Sequence, residues 1–182
     1  MGIRCAFQNI LIIVIAMAVP AVSLAQPEED ATLKAEKMVR VTVEPPFDFR
    51  FGIMQPGVLQ HIDRNYTYDV VPEELLNGLL FQGIHRPPAG TAVTMELLVP
   101  ATIYFFFHYK VHGGYAGIFE RMEGWERCDT APQYDIHNGD HGLRMIMYRR
   151  EAPAGTYAIP PTEEYRACFS FVICPVDPRA SL

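Results

Sequence analysis

Residues 101–109 read Ala-Thr-Ile-Tyr-Phe-Phe-Phe-His-Tyr, and this stretch decides the fold class. Its odd-numbered positions from 103 to 107 are Ile, Phe and Phe, and its positions 104 and 106 are Tyr and Phe. Side chains alternate between the two faces of a strand, so a strand here is apolar on both faces. That pattern is typical of a central strand covered on two sides.

Shorter strand patterns lie on both sides of this stretch, separated by Gly and Pro turns. Val39–Val43, Phe47–Phe51 and Thr91–Val99 alternate apolar with polar residues, which indicates half-buried strands. No long amphipathic helix is visible, and only Pro72–Gly78 resembles a short helical turn. The pattern predicts an all-β protein, an antiparallel β-sandwich of jelly-roll-like or immunoglobulin-like type. Further strand candidates are Tyr66–Val70, Leu79–Ile84, Leu143–Arg149, Gly155–Ile159 and Tyr165–Cys174, the last expected near the centre of a sheet.

The first 25 residues have the pattern of a cleaved secretory signal peptide. Arg4 precedes an almost purely apolar run over residues 10–22, and Ser23-Leu24-Ala25 is a small-x-small cleavage pattern before Gln26. The run is shorter than the ~18–20 residues that span a bilayer. We therefore expect a secreted or periplasmic protein with no membrane span after cleavage, an uncleaved anchor being the alternative. Residues 26–37 are expected to be a flexible lead or one marginal helical turn, and residues 38–182 a single β-sandwich domain.

The amino-acid composition limits the kinds of partner that we expect the protein to bind. The chain has 15 Lys and Arg against 21 Asp and Glu, a formal net charge of −6. Binding to phosphate groups depends on clustered Lys and Arg, so we expect no nucleic-acid partner. No cofactor is expected. The sequence also lacks a Gly-x-Ser-x-Gly motif, and no cysteine lies in a convincing His-paired setting, which favours binding over catalysis.

Three cysteines remain after signal cleavage: Cys128, Cys168 and Cys174. An oxidising compartment favours one disulfide among them. In a continuous strand, Cys168 and Cys174 would be about 20 Å apart, too far to bond. The predicted disulfide therefore joins Cys128 to either Cys168 or Cys174, the alternative being three unpaired cysteines.

The first candidate site is an aromatic stretch that follows the central strand. Exposed Tyr and Trp rings stack on sugars, but Trp125 has the alternative role of capping the core. The candidate ligand-binding residues are Tyr109, His112, Tyr115 and Trp125.

A second candidate site contains metal-ligand residue types. Asp135, His137, Asp140 and His141 are weak candidates for a divalent ion, because their spacing matches no established site and Asn138-Gly139 is also an ordinary hairpin turn.

Two smaller motifs have structural interpretations beside functional ones. Asp63-Arg64 offers a carboxylate and a guanidinium to sugar hydroxyls, but in a strand the two side chains would point to opposite faces. Asn65-Tyr66-Thr67 is a glycosylation sequon inside an apparent strand, and the sequence does not show whether Asn65 is glycosylated.

The order of several short motifs is more informative than any one of them. They are Asp63-Arg64-x-Tyr66, Val71-Pro72-x-x-Leu75-x-x-Gly78, Leu98-x-Pro100-Ala101-Thr102-x-Tyr104, Gly124-Trp125 and Pro153-Ala154-Gly155-Thr156.

This order resembles a β-sandwich accessory module of secreted bacterial proteins, often found beside polysaccharide-degrading enzymes. The resemblance covers about residues 51–173 and implies a non-catalytic module that contacts glycans or partner proteins. Two expected features depart from it: we expect no enzyme domain beside the module, and the loop after Tyr109 is rich in His, Gly and Tyr.

We therefore expect a secreted, non-catalytic module that binds a polysaccharide or a surface protein. The alternatives are a small carbohydrate-active enzyme, a lyase or hydrolase, and a structural envelope or matrix protein.

Overall fold

The computed structural model describes residues 26–108, 118–139, 142–159 and 169–176. Within these residues, antiparallel strands form one sheet of three strands and one of eight, which together make a curled half-barrel or sandwich. The predicted all-β class is thus confirmed. No helix in these ranges is long and apolar enough to cross a membrane.

The elements named here are those of the described residues, in chain order. The 3-10 turn Glu73–Leu75 lies inside the predicted helical turn. The helix is α1 (Gln26–Met38), and the strands are β1 (Val39–Glu44), β2 (Arg50–Ile53), β3 (Thr67–Val70), β4 (Leu79–Gln82), β5 (Ala92–Leu97), β6 (Ala101–His108), β7 (Glu126–Arg127), β8 (Gln133–Asp135), β9 (Leu143–Ala152), β10 (Gly155–Ile159) and β11 (Phe169–Pro175).

The central position of β6 follows from its two apolar faces. The three-stranded sheet has the order β1-β5-β10, and the larger sheet has the order β2-β4-β11-β6-β9-β8-β3, with β7 also paired to β9. Phe105 of β6 lies opposite Phe171 of β11 and Tyr148 of β9. Both predicted central strands are confirmed, because β6 and β11 each have a partner on either side.

Each face of β6 packs into a separate apolar cluster. Ile103, Phe105 and Phe107 belong to the main core, which joins the two sheets. Tyr104 and Phe106 belong to a second cluster on the opposite face of the large sheet. That second cluster includes residues of β3 and β8, so the large sheet curls to cover its own outer face.

Residues 26–37 differ from the predicted flexible lead, because the structure has a 13-residue helix there. Ala31, Ala35 and Met38 are buried on its inner side. Two of these three residues are alanines, so the buried side has little hydropathy and the sequence shows no apolar stripe. Lys34 Nζ donates to the Asn77 carbonyl oxygen at 2.7 Å, which ties the helix to the turn before β4.

The close approach of the chain at Gly78 gives a first prediction. A Cβ atom at Gly78 would lie 2.3 Å from Val172 Cγ1 and 2.8 Å from Cys174 Sγ. We expect Gly78→Ala to lower the free energy of unfolding by about 1–3 kcal/mol, because an overpacked core must shift. Denaturant titration measures the effect.

The double variant Gly78→Ala/Val172→Ala is the control for this prediction. Removing the methyl groups that clash should make the additional cost of Gly78→Ala smaller than in the wild-type background. An equal cost in both backgrounds would contradict the steric explanation.

Candidate functional site

The structure describes one of the four predicted ligand-binding residues. Tyr109, His112 and Tyr115 lie outside the described residues. Trp125 is 8% exposed and packs edge-on against Phe119, with ring centroids 4.8 Å apart. It belongs to the main core between the sheets. This burial corrects the prediction of a stacking platform at Trp125, since a ring must be exposed to stack on a sugar.

The cysteines do not form the predicted link between Cys128 and Cys174, since both are free thiols. Cys128 lies beside β9, where its N–H donates to the Met147 carbonyl oxygen at 2.9 Å, whereas Cys174 lies on β11. Strands β6 and β9 separate the two cysteines, which puts them about 14 Å apart along the sheet, beyond the reach of a disulfide. Cys168 lies outside the described residues.

Burial also explains the state of the two thiols. Desolvation raises the pKa of Cys128 to about 11 and that of Cys174 to about 11. Both side chains are therefore protonated near neutral pH. A thiol in that state is a poor nucleophile and a poor metal ligand.

Two of the four weak metal candidates lie in a tight turn at the end of β8. The His137 backbone N–H donates to Asp135 Oδ1 at 2.6 Å, and His137 Nδ1 lies 3.2 Å from Asp135 Oδ2. Asp140 and His141 lie outside the described residues, and the described part of the chain holds no group of three His, Cys, Asp or Glu side chains arranged for a metal.

Asp63 and Arg64 lie in a loop rather than in a strand, so the expected opposite orientation does not apply. Arg64 Nη1 donates to the Asp63 carbonyl oxygen at 2.8 Å, and Asp63 Oδ1 accepts the His85 backbone N–H at 2.8 Å. The pair therefore organises its own loop. Asn65 of the sequon is exposed in the same loop, before β3 begins at Thr67, and not inside a strand.

A groove along β9 is a feature that sequence reasoning missed. β7 pairs with β9 at Tyr148 and Arg149, and β8 pairs with it at Leu143 and Arg144. Between these pairings the chain from Asp129 to Ala131 lies outside the strands and borders a cavity of about 550 Å³. We call this cavity the β9 groove. The residues that define it here are Glu74, Arg127, Cys128, Asp129, Thr130 and Arg144.

Acidic and basic residues both line the β9 groove. Thr130 Oγ1 donates to Glu74 Oε1 at 2.9 Å, which fixes one carboxylate at the wall. Arg127 and Arg144 line the groove, and no ion pair joins either of them to another of the described residues. Two guanidinium groups are thus available beside an oriented carboxylate.

The β9 groove continues into a second cavity of about 400 Å³ lined by Tyr104, Glu126 and Arg149. Arg149 donates from Nη2 and Nε to Glu126 Oε2, at 3.0 and 3.2 Å. This bond raises the pKa of the exposed Arg149 guanidinium, and burial raises the pKa of the Tyr104 hydroxyl. Both groups therefore keep their protons and act as hydrogen-bond donors at neutral pH.

Comparison with known proteins supports the fold. No family model matches the chain, and no curated protein matches it in sequence. Among solved structures, the chain is similar to a β-glucuronidase from glycoside hydrolase family 2, with a TM-score of 0.61 and 14% sequence identity. The match covers 78% of this chain and 15% of that enzyme. At this identity the likeness shows a shared β-domain fold.

Proposed function

We propose that the protein is a secreted or periplasmic domain that binds a glycan in the β9 groove. The observation that carries the proposal is the groove itself, whose 550 Å³ lies within the ~300–1,000 Å³ of small-molecule sites. The predicted signal peptide supports export. The likeness to part of a glycoside hydrolase supports a glycan-related β-domain.

The lining of the β9 groove suits sugar hydroxyl groups. Each hydroxyl both donates and accepts hydrogen bonds, so it needs a wall that offers both functions. The Glu74 carboxylate accepts, while the Arg127 and Arg144 guanidinium groups donate. A hydrogen bond to a charged side chain contributes more than one between neutral groups, which strengthens the binding of a polar ligand.

A screen of neutral and acidic polysaccharides against the purified domain tests this proposal. The variant Arg144→Ala tests whether the binding site is the β9 groove. We expect saturable binding to at least one polysaccharide and a loss of roughly 10-fold in affinity for Arg144→Ala, because one charged hydrogen bond contributes about 1.5–3 kcal/mol. Isothermal titration calorimetry measures the affinity of both proteins.

Arg40→Ala is the matched control. Arg40 is an exposed arginine of β1, paired with Glu96 at 3.0 Å on the three-stranded sheet, away from the groove. Its replacement should leave glycan affinity unchanged. Equal weakening by both variants would indicate a general loss of positive charge and would contradict a site in the β9 groove. An absence of saturable binding to any polysaccharide would favour a protein partner and overturn the proposal.

A further inference from the structure

The side chains of Thr67, His137 and Asp135 contact one another in that order next to the β9 groove. Thr67 Oγ1 and His137 Nε2 are 3.0 Å apart, although the two residues are 70 positions apart in the sequence. His137 Nδ1 lies 3.2 Å from Asp135 Oδ2. A hydroxyl, an imidazole and a carboxylate therefore follow each other in the order that nucleophilic hydrolysis uses.

The pairing of β3 with β8 produces this arrangement. Thr67 lies directly opposite Asp135 in the register. Their neighbours Tyr68 and Tyr134 are buried in the second cluster, so Thr67 and Asp135 lie on the outer face of the two strands. The turn after β8 then brings His137 back over that face, with a backbone φ of 57°.

The Asp135 side chain is more buried than that of His137, which suits a carboxylate that orients an imidazole. The Asp135 side chain is 10% exposed, while that of His137 is 42% exposed. A sheltered carboxylate holds the imidazole with its proton on Nδ1, and Nε2 is then left to accept the Thr67 proton. Solvent and substrate can reach the imidazole from outside.

We propose that this triad cleaves ester bonds, with Thr67 as the nucleophile and His137 as the general base. Thr67 Oγ1 attacks the ester carbonyl carbon while its proton passes to His137 Nε2. The bond to the leaving alkoxide then breaks, and His137 returns the proton to it as an alcohol. Water, deprotonated by His137, attacks the acyl group on Thr67 and releases a carboxylic acid, which restores the hydroxyl.

The position of the triad identifies the substrate class as an ester substituent on a glycan. Gln133 lines the β9 groove and lies two residues before Asp135, on the same face of β8. A glycan in the groove that extends along β8 brings its acyl groups to Thr67. This substrate assignment rests on the proposed function, whereas ester cleavage by the triad does not.

Hydrolysis of p-nitrophenyl acetate by the full exported domain tests the triad without any glycan. We expect Thr67→Ala to lower kcat/KM roughly 100-fold, which is the lower end of the range typical of general acid–base catalysis. Thr67→Ser should keep or raise activity, because serine offers the same hydroxyl without the methyl group. Thr94→Ala, at an exposed threonine of β5, is the matched control and should leave the rate unchanged.

Peptide mass spectrometry of the acetate reaction separates catalysis from a structural role of the hydrogen bonds. We expect an acetyl group on the peptide that contains Thr67 in the wild-type protein, less of it in His137→Gln because the nucleophile has lost its base, and none in Thr67→Ala. Unchanged hydrolysis by Thr67→Ala, or no acetyl group on Thr67 in any protein, would overturn the triad. Denaturant midpoints identify any variant that fails to fold, and Thr67→Ser then supplies the decisive comparison.

Acetylated polysaccharide tests the substrate class. Release of acetate that disappears in both Thr67→Ala and Arg144→Ala supports an acylated glycan held in the β9 groove. Release that depends on Thr67 but not on Arg144 would overturn the groove as the binding site while the triad stands. Cleavage of p-nitrophenyl acetate without release of acetate from any polysaccharide would overturn the glycan ester as substrate.

Discussion

Trp125→Ala is expected to lower the free energy of unfolding by about 3–5 kcal/mol, the usual cost of removing a large aromatic side chain from a core. Trp125 is 8% exposed, and its ring packs against Phe119, which in turn stacks on Phe105 with centroids 4.8 Å apart. Removing the indole leaves a cavity beside the central strand. Chemical denaturation monitored by far-ultraviolet circular dichroism measures the loss without relying on tryptophan fluorescence.

Two matched variants make the Trp125 result specific. Trp125→Phe should cost less than Trp125→Ala, because it retains an aromatic ring and Nε1 makes no hydrogen bond that would be lost. Leu33→Ala, at a leucine of α1 that is 50% exposed, should change stability little. A midpoint for Trp125→Ala equal to that of the wild-type protein would contradict the core position of the ring.

Strands such as β6 and β5 could be predicted because the order of apolar and polar residues along each strand reflects which of its faces are buried. Every residue from Ile103 to Phe107 is buried, and the pattern in the sequence has bulky apolar residues at all of these positions. β5 alternates buried and exposed residues from Val93 to Leu97, as expected for a strand with one face in the core. Periodicity of this kind is a local property, so one sequence reveals it.

The helix was not predictable for the opposite reason. The inner side of α1 consists of Ala31, Ala35 and Met38, and alanine contributes little to an apolar stripe. Its stability comes from packing against the sheet rather than from its own sequence, as is general for helices in proteins. The contacts of α1 with β2 join separate segments of the chain, so only the tertiary fold reveals where α1 belongs.

The candidate sites depend even more on contacts between distant segments. Glu74 and Thr130 meet across the β9 groove, and Thr67 meets His137, through tertiary contacts that no spacing in the sequence encodes. Sequence reasoning identified Asp135 and His137 by their residue types as weak candidates for a divalent ion, with an ordinary hairpin turn as the alternative. The partner of the His137 imidazole is the Thr67 hydroxyl, which belongs to the glycosylation sequon and was considered for another role. The residue types therefore identified candidate chemical groups, whereas the tertiary fold determines which of these groups are in contact.

A buried histidine gives the second large effect, a loss of stability in acid. His61 is 0% exposed, and its pKa is lowered to about 3, first by desolvation, then by the neighbouring His85, with Arg64 adding a smaller contribution. Asp63 and the Gly83 carbonyl group act in the opposite direction without offsetting the burial. The His85 ring centroid is 5.2 Å away, and the pKa of His85 is lowered by burial as well.

The sign of the pH effect follows from these pKa values. The folded protein keeps His61 neutral down to about pH 3, whereas the unfolded chain binds a proton near pH 6.5. The stabilising contribution is complete above pH 6.5 and decreases as the pH falls, until the folded state also binds the proton. At 1.36 kcal/mol per unit, we expect His61 alone to remove about 3 kcal/mol of stability between pH 6.5 and pH 4.

Comparison with His61→Phe isolates this contribution from the carboxylates that titrate in the same range. Phenylalanine keeps an aromatic ring beside His85 and Tyr66 but has no site for a proton. His61→Leu is the second variant, in case the larger ring does not fit. Urea denaturation at a series of pH values should show a shallower acid loss in both variants than in the wild-type protein. Parallel curves for all three proteins would mean that His61 accepts its proton equally well in the folded and unfolded states, and would contradict its buried, neutral state.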